Sequence, residues 1–280
     1  MKIPFWKMHG AGNDYIYFDC FKHNVAEPEK LSVVLSHRRF SIGGDGVILI
    51  CPSEKADAKM RMFNADGSEG KMCGNGVRCV GKYIYDVGYA KKDSVTVETL
   101  SGVKKLDIHA ENGVARGVTV DMGKPEFSPG KIPVYLPDDR VIAREIEIGG
   151  ESYTASFVSM GNPHCVIIDE KNPDDIDIEK IGPKFERDPM FPEGVNTEFV
   201  SVKGQNALDM RVWERGSGET WACGTGACAA VVAAVENGIF SKNRDITVKL
   251  KGGELVIRYG AEGVRMTGGA VKSFEGVVEV

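Results

Sequence analysis

The feature that most constrains this chain is an internal repeat at a constant offset of 150 residues, from Cys73 to Cys223. Residues 60–76, MRMFNADGSEGKMCGNG, align without a gap on residues 210–226, MRVWERGSGETWACGTG. A repeat of this length indicates a tandem duplication, which gives each copy the same local structure. The total length of 280 residues suits two domains, so the sequence predicts two similar halves.

The two copies share a local pattern. In each, a β-rich run leads into a polar, Gly-rich turn that ends in Cys-Gly-x-Gly, and a helix is expected next. We predict these helices over about 75–87 and 225–237, with Gly88 and Gly238 as their C′ caps. The second segment is apolar on every side, which is typical of a helix that is buried all round.

Short β-rich runs surround both helices and dominate the remaining sequence. They predict strands at Val47–Ile50, Lys59–Phe63, Val95–Glu98, Val118–Met122, Cys165–Ile168, Leu208–Trp213, Ile246–Leu250 and Leu255–Tyr259. Peripheral helices are expected near 27–39 and 176–185. The predicted fold class is therefore α+β, with two pseudo-symmetric halves that each wrap a β-sheet around a central helix. We place the halves at 1–122 and 123–269, and leave open that a strand near 270–280 returns to the first.

The composition excludes several classes of function. A formal net charge of −5 provides no basic field of the kind that neutralises nucleic-acid phosphates. The N-terminal segment lacks an apolar stretch of signal-peptide length, and no later segment approaches the roughly 18 apolar residues of a membrane span. We therefore expect no nucleic-acid partner, no membrane and a cytoplasmic location.

Seven cysteines without a secretion signal make a disulfide framework improbable, so the thiols are expected to be reduced. Bound metal is not expected either, because the repeated cysteines lack the short C-x₂₋₄-C spacing of zinc sites. Cys73 and Cys223 differ from the other five cysteines, since each lies in a polar Gly-rich turn and has a counterpart in the other copy. A dithiol that exchanges with a disulfide is one interpretation of this pair, although Cys-x-x-Cys is absent.

Acid–base chemistry is the interpretation that we favour for the pair. A cysteine at a helix start lies where backbone N–H groups and the helix dipole favour negative charge, so the pKa of its thiol can fall. Glycines beside each cysteine are expected to leave room for a ligand carboxylate at these N–H groups: Gly74, Gly76, Gly224 and Gly226. Inversion of a stereocentre needs one base and one acid on opposite faces of a carbon, which a duplicated protein can supply from its two halves.

Longer motifs carry a resemblance that spans nearly the whole chain. They are MHGAGNDY, NADGSEGKMCGNGVRC, MGNPHCV, GVNTEFV and ERGSGETWACGTGA. In these segments the chain resembles the diaminopimelate epimerases. The resemblance implies the fold of that family, a cofactor-independent interconversion of LL- and meso-2,6-diaminoheptanedioate in lysine and cell-wall precursor synthesis, and a homodimer.

The resemblance also implies roles for individual residues. Cys73 and Cys223 become the thiolate and thiol, and His164 with Glu214 become auxiliary polar residues near them. Substrate contacts are implied for Asn13, Asn64, Gly74, Asn75, Asn162, Asn196, Glu214, Arg215, Gly224 and Thr225. Arg215 is the natural bidentate partner for the distal carboxylate. Many members of the family have Gln where this chain has Gly46, which puts one substrate contact in doubt.

Proline racemases, hydroxyproline racemases and a phenazine-biosynthesis isomerase are the alternatives, because they share the duplicated architecture. The isomerase lacks the cysteine pair. Against the proline enzymes, the chain has Asn75 in place of a histidine and continues from Glu214-Arg215 into GSGET.

Overall fold

The structure is a computed structural model that describes residues 2–279. By compactness the chain divides into two units, one formed by residues 2–121 together with 267–279 and the other by residues 122–266. The segment after residue 266 thus returns to the first unit.

Four α-helices, eighteen strands and two short 3₁₀-helices (Pro129–Lys131 and Pro173–Asp175) make up the regular structure of residues 2–279. The helices are α1 (Pro28–Leu35), α2 (Gly74–Asp86), α3 (Ile178–Glu186) and α4 (Gly224–Glu236). The strands are β1 (Lys2–Gly10), β2 (Asn13–Asp19), β3 (Gly46–Cys51), β4 (Ala58–Asn64), β5 (Glu69–Gly70), β6 (Ser94–Thr99), β7 (Gly102–Glu111), β8 (Val114–Gly123), β9 (Arg144–Ile148), β10 (Glu151–Ser159), β11 (Pro163–Ile168), β12 (Asn196–Lys203), β13 (Ala207–Glu214), β14 (Gly218–Glu219), β15 (Asp245–Leu250), β16 (Gly253–Gly260), β17 (Gly263–Gly269) and β18 (Val271–Glu279). Among the described residues, no helix is both long and apolar enough to cross a membrane.

Strand pairing in the first unit follows the order β18, β1, β2, β3, β4, β6, β7, β8. The pairs β2–β3 and β4–β6 are parallel, and the others are antiparallel. The second unit pairs β9, β10, β11, β12, β13, β15 and β16 in that order, with β11–β12 and β13–β15 parallel. Parallel and antiparallel pairs occur at equivalent places in both units, as the sequence repeat predicts.

The central helices keep the offset of the sequence repeat, since α2 and α4 begin and end 150 residues apart. Strands of the same unit pack around each helix. Gly88 and Gly238 follow the helices with φ of 87° and 75°, the left-handed conformation of a C′ cap, which confirms their predicted role. The all-round burial predicted for α4 is also confirmed, because residues 226–235 are all buried.

Helix α2 is equally buried despite its polar residues. Arg78 is fully buried and Lys82 nearly so. The Lys82 ammonium donates to Asp86 and to the carbonyl of Ala115, both at 2.7 Å. A buried charge needs partners of this kind to offset its lost hydration. The polar sequence of α2 therefore reflects internal hydrogen bonds instead of a surface position.

The turns before β2 and β11 differ in length by one residue. In the first unit Gly10 pairs with Asn13 across a two-residue turn, in which Gly12 has φ of 80°. In the second unit Ser159 pairs with Pro163, so that three residues form the turn. The extra residue places the two matching asparagines, Asn13 and Asn162, 149 residues apart instead of 150.

Candidate active site

Both repeated cysteines are the N-cap residues of the central helices. Cys73 and Cys223 have extended backbones, with φ of −130° and −110°. In each unit the Sγ atom accepts the backbone N–H of the third helix residue, Gly76 or Gly226, at 3.3 Å. This is the geometry by which serine or aspartate oxygens cap helices. The two sulfurs therefore lie where helix N–H groups favour negative charge.

The glycines inside the helices serve a different purpose from the one expected. A Cβ atom on Gly76 would lie 2.7 Å from Cδ1 of Ile48, and one on Gly226 would lie 2.6 Å from Oε1 of Glu198. The space beside these glycines is filled by a strand of the same unit, because the helix start packs directly on that strand. Gly76 and Gly226 are thus required by packing, and the expectation that they leave room for a ligand is wrong.

Amide side chains surround Cys73. Its thiol donates to Oδ1 of Asn13 at 3.2 Å, and the Asn75 amide donates to the same oxygen at 3.4 Å. The Asn13 amide nitrogen in turn donates to Asp45 at 2.7 Å, which fixes the orientation of the amide group. Asp45 was not among the predicted site residues, although it lies in the loop sequence IGGDG.

Arg78 supports Asn75 from inside the helix. Its guanidinium donates to Oδ1 of Asn75 at 2.9 Å and to the carbonyl of Gly269 at 3.3 Å. Because Arg78 is fully buried, this contact holds the Asn75 side chain in one orientation. The sequence showed Arg78 only as a polar residue of the helix, so its role could not be predicted.

Asn64 and Gly46 lie opposite each other on β4 and β3. The Asn64 amide donates to the Ser68 hydroxyl at 2.9 Å, and this bond stays within its own turn instead of joining Asn64 to the Cys73 cluster. A Cβ atom on Gly46 would lie 2.0 Å from the carbonyl oxygen of Phe63. No side chain fits at residue 46 in this backbone.

Cys223 is joined to a chain of polar side chains. Its Sγ lies 3.5 Å from the hydroxyl of Thr225, which accepts the Asn162 amide at 3.2 Å. Asn162 Oδ1 lies 3.0 Å from Nε2 of His164. Three of the predicted site residues thus connect in sequence to the second thiol.

The far end of this chain is a carboxylate that sequence reasoning missed. Nδ1 of His164 lies 2.7 Å from Oε1 of Glu198, and both side chains are completely buried. The sequence offered no clear signal for Glu198, because NTEFVSV mixes polar and apolar residues and does not reveal that the strand is buried.

Glu214 is the second carboxylate of the cluster. Its side chain accepts hydrogen bonds from Thr220 and from Cys223. Burial raises the pKa of Glu214 above its usual range. Burial also raises the pKa of the Cys223 thiol well above its usual range, and the negative charges of Glu214 and Glu198 add to this effect.

Asn196 and Arg215 form a separate pair. Asn196 donates to the carbonyl of Pro163 at 2.9 Å and accepts the backbone N–H of Arg215 at 2.9 Å. The Arg215 guanidinium is exposed and donates to the carbonyl of Glu193 at 2.9 Å. An exposed guanidinium held at one nitrogen keeps other donors available for an anionic ligand.

Comparison with known proteins gives the family context of this arrangement. A sequence model of the diaminopimelate epimerase family matches residues 5–128 and 156–273. A diaminopimelate epimerase of Acetivibrio thermocellus is 52% identical over 280 residues, which cover 99% of each chain. One from Desulfovibrio desulfuricans is 51% identical over 282 residues, covering 98% of this chain and 97% of its own.

Solved structures with similar folds are much more distant in sequence. A phenazine biosynthesis protein of the PhzF family from Bacillus anthracis has a TM-score of 0.73 at 16% identity, and the match covers all of both chains. A hydroxyproline epimerase from Agrobacterium vitis has a TM-score of 0.69 at 15% identity and covers 99% of this chain and 92% of its own. At this level of identity the two structures support the fold alone, which is the predicted duplicated α+β architecture.

Proposed function

The chain belongs to the diaminopimelate epimerase family, and we propose that it interconverts LL-2,6-diaminoheptanedioate and the meso form with Cys73 and Cys223 as the acid–base pair. One observation supports this assignment above the others. In both units a cysteine caps the central helix, with its sulfur 3.3 Å from a helix N–H group. A duplicated cap of this kind supplies two thiols with the same backbone geometry, one for proton removal and one for proton return.

The first turns of α2 and α4 are the proposed binding site for the carboxylate of the reacting centre. Backbone N–H groups at a helix start have no partner inside the helix and attract anions. The proposed donors are Gly74, Asn75, Gly224 and Thr225, which occupy the first two positions of the two helices. These donors stabilise the charge that moves onto the carboxylate while the α-proton leaves, and so lower the barrier.

The two thiols differ in charge environment, and we assign them different resting states. Cys223 keeps its proton because burial and then the carboxylates Glu214 and Glu198 raise its pKa. The thiolate is assigned to Cys73, whose sulfur accepts the helix N–H of Gly76 and becomes the base when it loses the proton that it donates to Asn13. In the proposed reaction Cys73 removes the α-proton of one epimer and Cys223 returns a proton to the opposite face. The reverse reaction exchanges these roles.

The remaining predicted residues are proposed to select the substrate. Arg215 takes the distal carboxylate, because its guanidinium is exposed and its backbone is anchored by Asn196. Asn13 and Asn162 contact the substrate from positions beside the two thiols, and Asn64 and Asn196 complete the polar contacts. His164 and Glu214 act as auxiliary groups near Cys223, with Glu214 in direct hydrogen-bond contact with it.

Solvent hydrogen exchange tests the proposal. The enzyme is incubated in D₂O with LL-diaminopimelate and, separately, with L-proline, and deuterium at the α-carbon is followed by NMR while chiral chromatography measures inversion. We expect exchange with inversion for diaminopimelate alone, without added pyridoxal phosphate. Turnover of proline instead of diaminopimelate would show that the substrate assignment is wrong.

A homodimer in the cytoplasm is proposed on the family resemblance. Sedimentation velocity at several protein concentrations measures the assembly, and a monomer at micromolar concentration contradicts it. Fractionation of cells of the source organism tests the location.

A further inference from the structure

We propose that Glu198 is a positioning residue of this site. By holding His164 in one orientation, it keeps Asn162 and Thr225 in place beside Cys223. The role of Cys223 rests on the function proposed above. The contact between Glu198 and His164 rests on geometry alone.

Glu198 lies in the middle of β12 with its side chain completely buried. A carboxylate in this position loses its hydration and needs compensating partners. Oε1 faces Nδ1 of His164 at 2.7 Å, and Oε2 has no hydrogen-bond partner among residues 2–279. A buried acceptor left without a partner destabilises the fold by about 1–3 kcal/mol, so stability does not account for this residue.

The first unit shows what packing alone requires at this place. Ile48 is 150 residues before Glu198, and each fills the space beside the glycine at the start of its central helix. The isoleucine in the first unit is fully buried and apolar. Because the same helix start packs well on an apolar side chain, the carboxylate of Glu198 serves the neighbouring polar groups instead of the packing.

Hydrogen bonds fix the orientation of each group in the chain that leads from Glu198 to the thiol. The Asn162 amide nitrogen donates to the Thr225 hydroxyl, so the amide oxygen faces Nε2 of His164. The other ring nitrogen faces the carboxylate of Glu198. An oxygen lies at each ring nitrogen, so Nε2 carries hydrogen toward Asn162 and one proton lies between Nδ1 and Oε1 of Glu198.

Other titratable groups around Glu198 are acidic or thiol groups. Glu214 at the end of β13, Cys165 on β11 and Cys223 at the start of α4 all experience its negative charge. His164 is thus the group of this cluster that hydrogen-bonds to the Glu198 carboxyl group. Loss of the carboxyl group removes the contact that fixes the imidazole ring, after which Nε2 no longer stays aimed at the oxygen of Asn162 and the amide is free to turn away from Thr225.

Two substitutions separate this role from packing. Glu198→Gln keeps the shape and removes the charge, and Glu198→Ile copies the residue that occupies the same place in the first unit. Glu236→Gln is the matched control, since Glu236 is a largely buried carboxylate of the same unit at the opposite end of α4. Circular dichroism and thermal unfolding establish that each variant is folded.

The readouts are kcat/KM for diaminopimelate and the ¹⁵N spectrum of labelled histidine at pH 7. The signal of His164 is identified by its loss in His164→Gln. We expect the Nδ1 signal of His164 to differ from wild type in both Glu198 variants and to match wild type in Glu236→Gln. We expect kcat/KM to be at least tenfold lower in both Glu198 variants and within twofold of wild type in Glu236→Gln.

Two outcomes overturn the inference: an Nδ1 signal of His164 that is the same in wild type and in both Glu198 variants, or Glu198 variants that keep kcat/KM within twofold of wild type. A wild-type enzyme that does not turn over diaminopimelate is a different result. It contradicts the proposed function, while the histidine spectra still decide whether Glu198 holds His164.

Discussion

Replacement of Cys223 gives the sharpest test of the two-thiol reaction, provided that the variants fold. Cys223 is 5% exposed and caps α4 through the N–H group of Gly226. Cys223→Ser keeps a cap acceptor, and Cys223→Ala removes it. Loss of a helix cap typically costs about 0.5–2 kcal/mol, against a total stability of about 5–15 kcal/mol for a domain. Both variants should therefore remain folded.

The expected loss of activity is much larger than the loss of stability. A positioned general acid or base contributes about 10²- to 10⁴-fold to a rate, which corresponds to about 2.7–5.5 kcal/mol of transition-state stabilisation. Water is a poor substitute here because the sulfur position is nearly closed to solvent. We expect inversion of LL-diaminopimelate to fall by about 10³-fold or more in both variants.

The assay separates proton removal from inversion. Each variant is incubated in D₂O with the LL and meso forms, with deuterium incorporation followed by NMR and inversion by chiral chromatography. Cys73 remains in these variants, so it should still exchange the α-proton of one epimer without inverting it. Cys228→Ala is the control, because Cys228 lies buried within the same helix and its loss should resemble a small core truncation.

Near wild-type inversion by a folded Cys223→Ala enzyme would refute the two-thiol mechanism. Equal loss of activity in Cys228→Ala would also count against it, since the effect would then come from disturbance of the helix and not from the missing acid. Cys73→Ala with Cys79→Ala as its control repeats the test in the first unit.

Three other predictions concern specificity, oxidation and pH. Arg215→Leu should raise KM for diaminopimelate by about ten- to a hundredfold in steady-state kinetics, because hydrogen bonds to a charged group contribute about 1.5–3 kcal/mol. An unchanged KM would contradict the contact between Arg215 and the distal carboxylate. Hydrogen peroxide should inactivate the enzyme, a thiol reductant should restore its activity, and bound diaminopimelate should protect it from oxidation. If mass spectrometry shows that both Cys73 and Cys223 are oxidised and the sample is still fully active, neither thiol is essential. Glu214→Gln should move the alkaline limb of the pH–kcat/KM profile to lower pH. The Glu214 charge adds to burial in raising the pKa of Cys223, so that without this charge the thiol loses its proton at a lower pH. A limb that stays in place or moves to higher pH would refute this coupling.

The sequence by itself determined the duplicated architecture and the placement of the two thiols. The helices predicted over 75–87 and 225–237 begin and end within one residue of α2 and α4. Their limits could be predicted because caps are local: a cysteine with its glycines marks each start, and a C′ glycine marks each end. The tandem repeat then fixed the equivalence of the halves without any knowledge of contacts.

Only the tertiary structure decided which side chains surround each thiol. The contacts that matter join residues far apart in sequence: Asn13 and Cys73 differ by 60 in residue number, and His164 and Glu198 differ by 34. Ile48 and Glu198 are equivalent by the repeat, yet only strand packing shows that both lie beneath a helix start. Sequence patterns report local backbone preferences. Burial and hydrogen bonding depend instead on how strands that are distant in sequence pack on one helix. This packing gives the two thiols their different electrostatic surroundings.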